Sequence, residues 1–219
     1  MHSVTKILPF VCVALAGGCT SSAGGAAPAP SPRVSSATGT FAPYTPGATA
    51  ITYDPALVPD GAVATLSITE TSSDSRVWFT VAGLLPNRTY GVHLHTNPCG
   101  ATPDAAGPHY EHQHPPGSKP NAPSPPGPVS PPQTASPPVT PPETPATPMK
   151  ADPSYANPQN EVWLDVTTRA DGRGSAVATH PWTFDPAPRS LVIHATATKT
   201  ADGQAGDAGP RVACLTLPA

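Results

Sequence analysis

Two histidines separated by one residue, His93 and His95, are the first side chains in this sequence whose spacing suggests chemistry. They lie in the run YGVHLHTNPCG, residues 90–100. On a β-strand, residues i and i+2 point to the same face, about 6.6–6.8 Å apart along the chain. Two imidazoles placed in this way can bind one metal ion through bonds of roughly 2 Å. The pair alone also fits packed or solvated histidines, so a metal site is one hypothesis among these.

Further histidines strengthen the metal hypothesis. His109 lies in the turn-rich run AGPHYEHQH, which also contains His112 and His114, and His194 lies inside the apolar run LVIHAT. A charged imidazole is unfavourable in an apolar strand, whereas a neutral imidazole that binds a metal fits there. The alternative for His194 is a position on the outer surface of the sheet.

The composition indicates one modest folded domain together with proline-rich segments. Proline accounts for 34 of 219 residues and charged residues for 11%, whereas about 5% proline is usual. The formal net charge is −3 and no basic stripe is present, so nucleic acid is not expected as a partner. No run reaches the roughly 18 apolar residues that a transmembrane helix needs.

The N-terminus resembles an export signal. Lys6 precedes the apolar run ILPFVCVALAGG, and small residues lead up to Cys19. The run LAGGC resembles the lipidation box of bacterial lipoproteins, although Ala16 lies where that box usually has leucine. We therefore predict a signal peptide over residues 1–18, lipidation of Cys19, and a membrane-anchored lipoprotein on the extracellular or envelope side of the cell membrane. A plain secretory signal is the alternative.

The remaining cysteines depend on this processing. If residues 1–18 are removed and Cys19 is lipidated, Cys99 and Cys214 are left as a single pair. An exported protein meets an oxidising environment. A disulfide between Cys99 and Cys214 is therefore expected.

Two low-complexity segments divide the chain. Residues 19–47 consist mainly of Ser, Ala, Gly, Pro and Thr and are predicted to form a flexible tether. A second segment contains 15 prolines between Pro115 and Pro148, and it has few apolar side chains to bury. We predict a disordered insertion over about residues 115–158, inside a folded domain that spans residues 48–219.

Eight short segments have the pattern of β-strands bounded by turns. In residues 161–168, Val162, Leu164 and Val166 fall on one face, and Trp163 and Asp165 on the other. The sequence predicts an all-β fold, an eight-stranded antiparallel sandwich or barrel interrupted by the long Pro-rich loop. The strand segments are 49–54, 61–69, 76–84, 88–95, 161–168, 174–180, 190–197 and 211–217.

The motifs GVHLH, CGATPDAAGPHY, LVIHATA and GDAGPRVAC occur in the order found in copper/zinc superoxide dismutases. The sequence resembles that family over about residues 50–114 and 157–219. The resemblance implies a Greek-key β-sandwich, the Cys99–Cys214 disulfide, and an Arg211 that attracts the superoxide anion. It implies copper ligands at His93, His95, His109 and His194.

The implied reaction converts superoxide to oxygen and hydrogen peroxide. It needs a metal that alternates between two oxidation states, and imidazole ligands suit copper in both. His109 matches the histidine that bridges copper and zinc in the family, and it is the candidate to carry a proton. Because the substrate is an anion, the guanidinium of Arg211 would help to attract and orient it.

The zinc half of the family pattern is missing. No histidine occurs between His114 and His180, and Val162 stands where the family has its zinc-binding aspartate. His112 and His114 are weak zinc candidates, but the ligand count of a closed tetrahedral site is not met. We therefore expect copper as the cofactor and do not expect zinc.

Three functions follow as hypotheses. The leading one is an exported, membrane-tethered, copper-dependent superoxide dismutase. A copper-binding module for storage or delivery would use the same histidines but would need neither Arg211 nor the disulfide. A structural envelope protein that acts through its Pro-rich loop would not need four histidines.

Overall fold

The computed structural model describes residues 31–117 and 153–219. Within these residues the secondary structure consists of short β-strands and a single-turn 3-10 helix at Pro103–Ala106. The predicted signal peptide, Cys19 and most of the Pro-rich insertion lie outside the described residues. The strands are β1 Arg33–Thr40, β2 Ala50–Thr52, β3 Val63–Glu70, β4 Ser75–Ala82, β5 Thr89–Tyr90, β6 Val92–His95, β7 Val166–Thr167, β8 Gly174–His180, β9 Ser190–His194 and β10 Arg211–Thr216.

The strands form two four-stranded antiparallel sheets. One has the order β1-β3-β4-β8 and the other the order β2-β10-β9-β6, while β5 and β7 form a separate pair. The predicted all-β, Greek-key sandwich is confirmed, and the two sheets do not close into a barrel. Each of the eight predicted segments overlaps a strand, and residues 88–95 overlap two. Among the described residues, no helix is long and apolar enough to cross a membrane.

The core lies between the two sheets and follows the period-two pattern of the strands. On β3, Leu66 is buried and faces the core, opposite Phe79 of β4 in the register. By contrast, β9 and β10 are almost entirely buried. A second small cluster, with Ala106, Val192 and Cys214, covers their other face. This double cover explains why residues 190–194 are apolar apart from their two ends.

Strand β1 corrects the predicted tether. Residues 33–40 pair with β3 over their whole length, from Arg33 opposite Glu70 to Thr40 opposite Val63. Phe41, which follows the strand, is completely buried in the core. The prediction of a flexible tether is therefore wrong for residues 33–41, and the predicted domain boundary at residue 48 is too late.

One position of β1 requires the smallest residue. A Cβ atom on Gly39 would lie 2.4 Å from the Cβ of Ala50 and 2.8 Å from Cδ1 of Leu215, closer than real side chains approach. Small side chains on an edge strand give the same composition as a flexible linker. Composition alone could therefore not separate the two.

Candidate metal centre

Four histidines come together at one edge of the second sheet. Their ligand nitrogens all lie within 4.8 Å of one another. This is the single group of three or more potential metal ligands found among residues 31–117 and 153–219. Three of the side chains are almost completely buried, and His109 is about one-fifth exposed. The group contains the four predicted copper ligands: His93, His95, His109 and His194.

The local structure explains the convergence. His93 and His95 lie on β6 and point to the same side, as the i, i+2 spacing predicts, while Val92 and Leu94 point into the core. β6 pairs with β9, which ends at His194. His109 reaches the centre from the loop after the 3-10 helix and forms an isolated β-bridge with His95.

Hydrogen bonds fix the orientation of three of these rings. Nδ1 of His95 donates to the carbonyl oxygen of Gly107 at 3.0 Å, and Nδ1 of His194 donates to that of Gly209 at 3.1 Å. Nδ1 of His109 donates to Oε2 of Glu161 at 2.8 Å. Because these oxygens are acceptors, each Nδ1 carries a proton, which leaves Nε2 as the atom of each ring that can bind a metal.

Two of these Nε2 atoms have no hydrogen-bond partner in the described part of the protein. Nε2 of His95 and Nε2 of His194 are buried and make no hydrogen bond. A buried, unsatisfied nitrogen costs about 1–3 kcal/mol. A metal cation at the centre would satisfy these nitrogens together, so the donor set fits a metal bound by imidazoles.

The environment keeps three of the four imidazoles neutral. Burial lowers the pKa of His93 and of His95 well below the usual value, and the neighbouring His109 lowers both further. Burial also lowers the pKa of His194 to about 4. The guanidinium of Arg211 acts in the same direction on all three. Neutral imidazole is the form that binds metals.

Sequence reasoning missed Glu161. Its side chain is 2% exposed, and Oε2 accepts hydrogen bonds from Nδ1 of His109 and from Nε1 of Trp163, the latter at 2.7 Å. The family pattern places the acidic ligand one residue later, at Val162, whose side chain lies in the core. The period-two pattern held the signal, because it places Glu161 on the same face as Trp163 and Asp165.

Arg211 lies at the rim of the centre. It is the first residue of β10 and is paired with His194 in the register. Nη1 donates to the carbonyl oxygen of Pro103 at 3.1 Å and lies 4.0 Å from Oδ1 of Asp104. Its side chain is 21% exposed. The guanidinium is therefore held in place while part of it is open to an anion from solvent.

The predicted disulfide is present. Cys99 and Cys214 are bonded, with Cα atoms 5.7 Å apart. Cys214 lies on the same strand as Arg211, and Cys99 precedes the 3-10 helix that begins at Pro103. The disulfide thus joins the strand that carries the guanidinium to the segment whose carbonyl holds it.

The two weak zinc candidates lie apart from the centre. His112 stacks on Trp182, with ring centroids 4.7 Å apart, and Nδ1 of His114 is 3.1 Å from Oε2 of Glu111. Neither belongs to the four-histidine group.

No protein-family profile matches the sequence, and no curated protein matches it either. Among solved structures, the fold is similar to a Cu/Zn superoxide dismutase from Brucella abortus, with a TM-score of 0.47 and 18% identity over 86% of this chain and 100% of that chain. It is also similar to the clock protein EA4, with a TM-score of 0.47 and 15% identity over 86% of this chain and 94% of that chain. At these values the function has to be inferred from the site itself.

Proposed function

We propose that this protein is a copper-dependent superoxide dismutase that converts superoxide to oxygen and hydrogen peroxide in the cell envelope. The observation that supports this proposal most strongly is the convergence of four imidazoles beside Arg211. A cluster that only binds metal does not require a partly exposed cation at its rim. A site that draws in a small anion does.

Copper fits the donor set. The group consists of four imidazole nitrogen donors and contains no carboxylate, and imidazole is a good ligand for copper in both of its common oxidation states. We propose His93, His95, His109 and His194 as the copper ligands. When bound, copper would supply the capacity to accept and donate one electron.

The protein groups would handle the anion and a proton. Arg211 would attract superoxide and hold it at the rim of the centre. Because Glu161 fixes a proton on Nδ1 of His109, Nε2 is the ring atom that would bind copper, and it could take up a proton and pass it to the product only while it is released from the metal. His109 also has the most exposed side chain of the four, so its proton could be replaced from solvent.

We also propose that the enzyme works without zinc. A second metal beside His109 would have to bind at Nδ1, and the carboxylate of Glu161 already occupies that position. His112 and His114 make other contacts. Glu161 would then hold the His109 ring in place of a second metal.

We propose that the protein acts at the outer face of the cell membrane. An export signal over residues 1–18 and a lipid on Cys19 would attach the domain to the membrane, and the Cys99–Cys214 disulfide supports an oxidising compartment. Mass spectrometry of the N-terminal peptide of the purified protein would test this. A diacylglycerol-modified Cys19 is expected, and an unmodified N-terminus would contradict the anchor.

The enzymatic proposal is tested with the purified protein loaded with copper in the absence of zinc. Copper stoichiometry and the decay of superoxide after pulse radiolysis are measured, with metal-free protein as the control. One copper per chain and decay far faster than in the control are expected. One copper with decay at the control rate would indicate storage or delivery instead. In a separate titration of the copper-loaded protein with zinc, tight binding of one zinc per chain would contradict the copper-only proposal.

A further inference from the structure

A chain of hydrogen bonds runs from His93 to a carboxylate on another segment. Nε2 of His93 lies 2.7 Å from Oγ1 of Thr198. That hydroxyl lies 2.5 Å from Oδ1 of Asp165, and the backbone N–H of Thr198 donates to Oδ2 of the same carboxylate at 2.7 Å. Thr198 lies in the loop between β9 and β10, and Asp165 directly precedes β7.

The direction of this chain can be deduced. The short distance between the Thr198 hydroxyl and the Asp165 carboxylate oxygen requires a hydrogen between them, and only the hydroxyl can supply it. The hydroxyl has a single hydrogen. Toward His93 it can therefore only accept, so Nε2 of His93 must carry a proton and Nδ1 must carry the lone pair.

The lone pair on Nδ1 of His93 then faces the metal centre. Nδ1 lies 3.0 Å from Nε2 of His109, whose own proton is held on the other nitrogen by Glu161. Two acceptors at this distance repel each other unless a cation or a proton lies between them. His93 thus presents the nitrogen opposite to the one presented by the other three rings.

We propose that Asp165 and Thr198 are positioning residues that set the tautomer of His93 and so determine which of its nitrogens binds the metal. The carboxylate of Asp165 polarises the Thr198 hydroxyl, which becomes a stronger acceptor for the Nε2 proton of His93. The His93 imidazole is thereby a stronger electron donor. Metal-binding histidines commonly depend on such outer partners, and their loss typically costs about 10–100-fold in affinity. This inference rests on the proposed metal-binding role of His93.

The two hydrogen bonds between Thr198 and Asp165 also hold the loop that leads to Arg211. Within that loop, the backbone N–H of Thr196 donates to the carbonyl oxygen of Ala208 and that of Lys199 donates to Asp207. The two bonds from Thr198 to Asp165 join this hairpin-like loop to the segment before β7. A purely structural role would explain the bonds of Thr198 to Asp165, but it would leave the tautomer of His93 free.

The tautomer can be measured without a metal or a substrate. In metal-free, 15N-labelled protein at pH 9, long-range proton–nitrogen correlation spectra distinguish the Nε2–H form of a histidine from the Nδ1–H form. We expect His93 in the Nε2–H form in the wild type and in Thr198→Ser, which keeps the hydroxyl. Thr198→Val should give a mixture or the Nδ1–H form. Asp165→Asn should do the same, because its amide can donate to Thr198 and turn the hydroxyl toward His93.

Thr200→Val is the matched control, because Thr200 is exposed on the same loop and should leave His93 unchanged. His93 in the Nδ1–H form in the wild type would overturn the proposal, and so would an unchanged tautomer in a folded Thr198→Val protein. Copper affinity gives a second readout. It should fall about tenfold or more in Thr198→Val and be restored in Thr198→Ser. Because the tautomer is read in metal-free protein, a lack of dismutase activity would not affect this result.

Discussion

Nδ1 of His109 lies 2.8 Å from Oε2 of Glu161, so a buried carboxylate holds the one metal-site histidine that comes from a loop. The three other histidines lie on strands β6 and β9 and have little freedom. His109 lacks that support and depends on Glu161, whose own orientation is fixed by the indole N–H of Trp163. The segment before β7 thus supplies three residues to one side of the centre: Glu161 to His109, Trp163 against the His93 ring, and Asp165 to Thr198.

Glu161→Gln should weaken copper binding about 10–100-fold, the usual loss when the outer partner of a metal-binding histidine is removed. The amide keeps the shape of the side chain but removes the charge that supports the Nδ1 proton. Copper affinity can be measured by competition with a chelator of known strength. Asp171→Asn, in the exposed turn between β7 and β8, should leave the affinity unchanged. Equal affinities for Glu161→Gln and wild type would contradict the assigned role.

Arg211→Ala should lower the second-order rate of superoxide decay about tenfold, because electrostatic attraction by a charge near a site raises on-rates by about this factor or more. The copper content should stay at one per chain, since Arg211 contacts Pro103 and Asp104 rather than a ligand nitrogen. The rate should also depend less on ionic strength. Arg76→Ala, on the exposed face of β4, is the control. A normal rate in Arg211→Ala would show that the guanidinium has no part in capture.

The metal-free protein should lose stability as the pH falls from about 6.5 to about 4. Burial lowers the folded-state pKa of His194 from 6.5 to about 4, so in this range the unfolded chain binds the additional proton and is favoured. At about 1.4 kcal/mol per pH unit, His194 alone contributes a loss of about 3 kcal/mol. Urea unfolding at pH 7.5 and pH 4 measures this loss. It should be smaller in His194→Asn, and an equal loss in both proteins would contradict the assignment.

Replacing both Cys99 and Cys214 by alanine should lower the free energy of unfolding by about 4–5 kcal/mol. The disulfide closes a loop with a sequence separation of 115, and the chain-entropy model gives this figure for a loop of that length. Urea unfolding of the double variant should match that of the reduced wild type. If the double variant unfolds at the same urea concentration as the oxidised wild type, the disulfide does not stabilise the domain in this way.

Gly39→Ala should destabilise the domain by about 1–3 kcal/mol, the usual cost of forcing an extra carbon into a packed core. The added Cβ would meet Ala50 and Leu215. Ser36→Val, on an exposed position of the same strand, should change stability by no more than about 0.5 kcal/mol. If both substitutions were neutral in thermal unfolding, residues 33–41 would be a tether after all.

The sequence by itself determined much of this protein. Strand-forming runs bounded by turns identified eight strand segments, and alternation put His93 and His95 on one face, because the period of two is a local property of the extended chain. The order of the motifs selected the four histidines that the structure brings together, along with the Cys99–Cys214 pair that it shows bonded. The strand character of β1 was hidden by its mostly small residues, and only the approach of Ala50 and Leu215 to Gly39 shows why that position requires a glycine.

The tertiary structure decided the partners. The pairs Glu161–His109 and Asp165–Thr198 join residues 52 and 33 positions apart. No local sequence pattern encodes which side chain each of these two carboxylates contacts. The family pattern points to Val162, one residue away from Glu161, and on a strand a shift of one residue moves a side chain to the opposite face. Which nitrogen of each imidazole faces the centre was likewise set by distant carbonyls, a carboxylate and a hydroxyl, because a tautomer depends on the hydrogen-bond partner that the fold provides.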